Sequence, residues 1–137
     1  MSQHQISNIE VQGYDFNRVQ SLKLNNFRSY ETLDCTFRGC SVVLLGSNGS
    51  GKTNILESLS LLSPGRGLRR APFEQFRNFK GPAEWGINAK VLSNNSSYKI
   101  STGIPAGRIK GREVRINDKK VFASKSLPEI ISVSWLT

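Results

Sequence analysis

Acidic residues are scarce in this sequence: 10 Asp and Glu stand against 19 Lys and Arg in 137 residues, a formal net charge of +9. A surplus of that size attracts polyanions such as nucleic acid or anionic lipid, although a basic surface with no such partner is the plain alternative. Cysteine is scarcer still. Cys35 and Cys40 are too few for a disulfide framework, and their spacing fits no metal motif, so reduced structural thiols are expected. The single histidine, His4, offers nothing to a metal site. No apolar run approaches the roughly 18 residues that a membrane helix needs. The first residues, "MSQHQISNIEVQGYDF", have neither the basic start nor the apolar stretch of a secretory leader, and residues 1–17 read as a polar extension. A cytoplasmic location is expected, where the N-x-S sequons at Asn94 and Asn95 carry no meaning. With 37% hydrophobic and 21% charged residues, the remainder, residues 18–137, suits one soluble globular domain or a piece of one.

The apolar residues that are present fall into patterns. "VQSLKLNNFRSY" alternates at Val19, Leu22 and Leu24, which predicts a strand ending near Asn25. "ETLDCTFRG" alternates at Leu33, Cys35 and Phe37, as a half-buried strand does. In "CSVVLLG" the residues Val42–Leu45 are continuous and apolar, the pattern of a strand covered on both faces, usually in a parallel sheet. Ile55, Leu56, Leu59 and Leu62 then recur at helical spacing until "SPG" stops the helix. Residues 66–86 read as an irregular basic loop with one helical turn around Phe73–Phe79. Three alternating runs follow, "INAKVL", "YKISTGI" and "EVRIND" with "KKVF", separated by turn residues, which predicts an antiparallel meander. "SKSLPEI" predicts a short helix, and "ISVSWLT" another apolar strand.

Between the continuous strand and the first helix lies Gly46-Ser47-Asn48-Gly49-Ser50-Gly51-Lys52-Thr53, a full match to G-x-x-x-x-G-K-[ST]. Its glycines let the backbone curl so that successive N–H groups face a phosphate, and the helix N-terminus adds its dipole. Lys52 is the residue type that reaches the β- and γ-phosphates, and the Thr53 hydroxyl can take one position on Mg²⁺. No N-K-x-D guanine motif occurs, so an adenine nucleotide, ATP with Mg²⁺, is the expected ligand.

Two stretches taken together, "LKLNNFRSYE" and "LLGSNGSGKTNILESLSLLSPGRGLRR", resemble the RecF family of bacterial DNA replication and repair proteins, ABC-type ATPases related to SMC proteins. The residues that carry the likeness are Asn26-Phe27-Arg28, Asn48-Gly49, Asn54, Leu56-Glu57, Arg66 and Arg69. It runs from about Val19 to Thr137 and covers roughly the first third of a typical member. The resemblance implies an α/β fold: the N-terminal lobe of a P-loop, ABC-type head, with a mixed sheet around the cradle and a small antiparallel sheet beside it. It makes Arg28 a secondary candidate for ATP contact, the competing reading being a surface pair with Glu31. It also implies ATP-dependent homodimerisation, single-stranded DNA or single-strand/double-strand junctions as partners, other recombination-mediator proteins, and roles in replication restart and the SOS response.

What an ABC-type ATPase needs beyond the cradle is not found in this sequence. No four apolar residues end in Asp-Glu, and no facing signature of the L-S-G-G-Q kind occurs, "LSPGR" at Leu62–Arg66 being in the wrong place. Phosphoryl transfer depends on all these parts, so the chain is expected to hold phosphates without turnover. Arg66, Arg69 and Arg70 are candidate DNA contacts, with Arg77 and Lys80 interleaved among Phe73, Phe76 and Phe79. The plainer alternative makes the three rings a small apolar face. A second basic group runs from Arg108 through Lys110, Arg112, Arg115 and Lys119 to Lys120. Trp85 and Trp135 read as packing residues. Two other readings stay open: a self-sufficient small P-loop kinase or nucleotide switch, and a remnant of a split gene without function.

Overall fold

A computed structural model describes residues 17–39, 41–108 and 111–136. The polar extension assigned to residues 1–17 therefore lies outside the described residues except for Asn17, as do Cys40 and Lys110. The described chain forms six strands, β1 (Arg18–Phe27), β2 (Tyr30–Thr36), β3 (Trp85–Ser93), β4 (Ser96–Ile104), β5 (Glu113–Ile116) and β6 (Lys119–Val121). They make one sheet of order β2-β1-β3-β4-β5-β6, every neighbouring pair antiparallel. Two helices accompany it: α1 (Lys52–Ser60) and α2 (Ala123–Ile130), with a 3₁₀ turn at Phe73–Gln75. Among the described residues no helix is long and apolar enough to cross a membrane.

The meander forms where the alternation predicts it. Its tight turns use Asn94-Asn95 and Asn117-Asp118, all four with positive φ, a conformation that suits the twist of a two-residue hairpin and that Asn and Asp tolerate. Period-two burial puts Leu22 and Leu24 of β1, Ile87, Ala89 and Val91 of β3 and Ile100 of β4 on one face, where they share a core with Leu61, Leu62, Leu127 and Ile130. Phe27 stacks on Phe76 at 5.7 Å between centroids and meets Trp85 edge-on at 5.6 Å, closing that core beneath the cradle. Trp85 is thus the packing residue that was expected.

Three expectations are corrected. Ser41–Leu45 is not a strand covered on both faces: residues 41–47 carry no ladder, and Val43 is 79% and Leu45 87% exposed. The mixed sheet implied around the cradle is accordingly not formed among the described residues. Residues 131–136 of the expected last strand likewise carry no ladder, Thr137 lying outside the described residues, and Trp135, expected to pack, stays exposed with Leu136. The reason is common to all three. Apolar composition favours burial, but a strand exists only where a second backbone supplies N–H and C=O partners, and no described residue does so here.

Candidate nucleotide-binding site

The cradle is built by the turn into α1. Gly49 and Gly51 have φ of 83° and 99°, and the Ser50 N–H closes the loop on the Ser47 carbonyl at 3.1 Å. Gly51 is required twice over, because a Cβ there would also collide with the Tyr30 hydroxyl. Burial pushes the Tyr30 phenol above its ordinary pKa, with the nearby Cys35 adding to the rise, and its hydroxyl stands under the loop. α1 has no side-chain cap and no acidic residue in its first turn, which leaves its leading N–H groups free for an anion. Lys52 donates to the Gly46 carbonyl.

Asn48, Gly49, Gly51, Lys52, Thr53, Asn54 and Arg69 line a cavity of ≈ 350 Å³. The sequence reading placed all but two of these in the site. Asn54 entered only through the family likeness, and Arg69 was assigned to DNA. Its route to the cradle is local. The Leu68 N–H donates to the Ser60 hydroxyl at 2.8 Å, and Gly67, at φ 76°, approaches so closely that a Cβ would meet that same oxygen. This draws the loop back against α1 and brings Arg69 alongside Asn54.

Arg28 occupies the left-handed region at φ 51°, in the two-residue turn between β1 and β2. Its side chain does not line the cavity. Nε and Nη2 donate to the two oxygens of Glu57 at 2.8 and 3.1 Å, and the guanidinium lies over the Phe76 ring at 5.0 Å. Arg28 is therefore paired with Glu57, and not with Glu31 as the competing reading had it. Arg69 joins the same carboxylate, Nη1 to Oε1 at 3.3 Å, while its Nη2 donates to Asn54 Oδ1 at 3.3 Å. Asn54 in turn donates to the Ser29 hydroxyl at 2.9 Å. Glu57 is fully buried, on a helix whose expected apolar position Leu56 faces water instead. A single acid on an otherwise uncharged helical face, with three family-marked arginines elsewhere in the chain, of which Arg28 and Arg69 reach it, was the signal available for this network.

The remaining basic residues divide. Arg66 and Arg70 are exposed. Arg112 turns inward, donating to the Leu61 carbonyl and, at 2.7 Å, to that of Ser63, beyond the end of α1; burial lowers its pKa to about 10. It belongs to the fold, since it satisfies carbonyls that the ending helix leaves open. Arg108, Arg115 and Lys120 gather on Glu113. Of the three rings, Phe76 is buried, but Phe79 lies exposed under Arg77, so the apolar face is smaller than its spacing suggested. Among the described residues, no three His, Cys, Asp or Glu side chains gather as a metal site.

Comparison with known proteins bears directly on this geometry. Residues 21–132 match a family model described as AAA domain. The DNA replication and repair protein RecF of Mesorhizobium japonicum is 40% identical over 120 residues, 87% of this chain and 32% of that protein. RecF of Rhizobium meliloti is 41% identical over 118 residues, 85% of this chain and 31% of that protein. The chain thus spans about a third of the length of the curated relatives it matches. Among solved structures, the recombination mediator protein RecF-ATP in the RecFOR pathway aligns with a TM-score of 0.73 at 22% identity, over 85% of this chain and 31% of that one. A structure from work on ATP-driven dimerization and DNA-stimulated activation of SMC ATPases aligns at 0.66 and 17% identity, over 82% of this chain and 76% of that one. The chain belongs to the AAA domain family, has the fold of a P-loop, ABC-type ATPase head, and corresponds within that family to the N-terminal third of RecF.

Proposed function

We propose that this chain binds Mg·ATP through Gly46, Ser47, Asn48, Gly49, Ser50, Gly51, Lys52 and Thr53, as the nucleotide-binding part of a RecF-like protein of DNA replication and recombinational repair. The observation that carries the reading is the meeting of open helix N–H groups, Lys52 and Arg69 at one cavity. That donor set suits a polyphosphate: backbone amides for the oxygens, a point charge from Lys52, and a planar fork from Arg69. Thr53 is exposed and supplies the hydroxyl for Mg²⁺. Bound Mg²⁺ would neutralise phosphate charge, the chain's own residues holding the tail in place.

The same reading assigns Arg66 and Arg70, exposed one short loop from the cradle, to DNA, with single-stranded DNA or single-strand/double-strand junctions as the partner. Arg69 passes from the DNA set to the nucleotide set. ATP-dependent pairing of two heads, other recombination mediators, a part in the SOS response and a cytoplasmic location complete the proposal. The names of the relatives support it, together with the net charge.

Calorimetry with Mg·ATP tests the site. Saturable uptake is expected; at a ligand concentration of ~100 Kd it adds about 2.7 kcal/mol of stability and raises the melting temperature by several degrees. Lys52→Ala should abolish both. No uptake at millimolar nucleotide removes the functional reading and leaves the family assignment as ancestry.

A further inference from the structure

We propose that Glu57 is a positioning residue of the nucleotide site, holding the Arg69 guanidinium at the mouth of the cradle. The inference rests on the nucleotide-binding reading above and extends it to a residue that cannot itself touch the ligand. Glu57 is fully buried, and a buried carboxylate is costly unless it is paired. One arginine meets that need: Arg28 already takes both oxygens in a two-pronged grip. The second arginine is not required to neutralise the acid, so its presence asks for another account.

The geometry around Arg69 supplies it. Asn54 and Glu57 are three residues apart on α1 and therefore share a face beside the cradle. They seize Nη1 and Nη2 separately, each at 3.3 Å, which fixes the plane of the guanidinium. The side chain remains 41% exposed and lines the cavity, with further N–H donors beyond those two contacts. An arginine clamped from behind and open in front loses little freedom when an anion arrives, and preorganisation of this kind appears as affinity. The ring closes through Ser29 and Arg28 in the turn between β1 and β2, so that turn, α1 and the Arg69 loop are held together.

Mg·ATP affinity of the full chain, measured by calorimetry beside the melting temperature without nucleotide, tests the proposal. Glu57→Gln keeps the shape and should weaken binding about tenfold, the low end of the loss seen when a supporting partner is removed. In an Arg69→Ala background the same change should have no further effect, since its route to the ligand is gone. Arg69→Lys keeps the charge but cannot span the carboxylate and the amide together, and should bind as weakly as Arg69→Ala. Equal losses from Glu57→Gln in both backgrounds, wild-type affinity in Glu57→Gln, or wild-type affinity in Arg69→Lys each overturn the role while leaving the nucleotide site standing. If Glu57→Gln does not fold, Arg69→Lys, a surface change, decides alone. A wild-type chain that takes up no Mg·ATP removes the site and the positioning role together.

Discussion

The third and fourth strands and the segment before the cradle make an instructive pair. β3 and β4 alternate apolar with polar residues, and pair over nine positions from Trp85↔Ile104 to Ser93↔Ser96. Ser41–Leu45 is the more apolar stretch, yet it lies largely in water. Hydrophobicity therefore does not rank these regions; the supply of backbone partners does. Two-residue turns at Asn94-Asn95 and Asn117-Asp118 join β3 to β4 and β5 to β6, so there the chain itself brings the ladder together. The cradle approach has no such neighbour in the described chain, and its side chains have only part of the core to rest on, Leu44 alone packing against it.

The contrast can be broken most forcefully from the sheet side. Phe27→Ala removes a fully buried ring from its stack with Phe76 and Trp85 and should cost about 3–5 kcal/mol in urea-induced unfolding. On the other side, Leu45→Lys should change stability by less than about 0.5 kcal/mol, because the leucine is already exposed. It should also reduce self-association in sedimentation experiments, by breaking an exposed apolar strip made with Val42 and Val43. A loss above about 2 kcal/mol from Leu45→Lys would mean that the segment is covered after all. The smallest effect belongs to the far edge of the sheet. The Arg115 hydrogen bond, opposed by burial and joined by the Arg115 and Lys120 charges, holds the Glu113 carboxyl below the usual carboxylate range. Its folded pKa lies below its unfolded one, so its stabilisation is complete above the unfolded value and is lost as pH falls through the folded value. Glu113→Gln should flatten that part of the acid limb of a stability–pH curve by a small loss of stability at neutral pH, the two curves converging below the folded value.

Much of the architecture was legible for reasons visible in particular residues. Ile87, Ala89 and Val91 alternate because one face of β3 is core, and Asn94-Asn95 marks the turn because both residues accept positive φ. The cradle was legible because its glycines and Lys52 are adjacent in sequence. Arg69 and Glu57 were not, since their relation depends on a loop folded back by Gly67 and Ser60, which no periodicity records. Leu56 was misplaced because helical spacing names a stripe without its width: Ile55, Leu59 and Leu62 pack on the core, while Leu56 at its margin is exposed beside the buried Glu57. Arg112 looked like one member of a basic surface group until the end of α1 claimed it.

By itself the sequence determined whatever local chemistry can specify: the glycine-rich turn into α1, the strand alternation and the hairpin turns, because each depends on residues a few positions apart. Only the tertiary structure decided which apolar segments acquire backbone partners and which charges meet, because ladders and ion pairs join groups separated by tens of residues. Arg28 and Glu57 stand 29 positions apart and yet share one carboxylate grip; that distance is closed by packing alone.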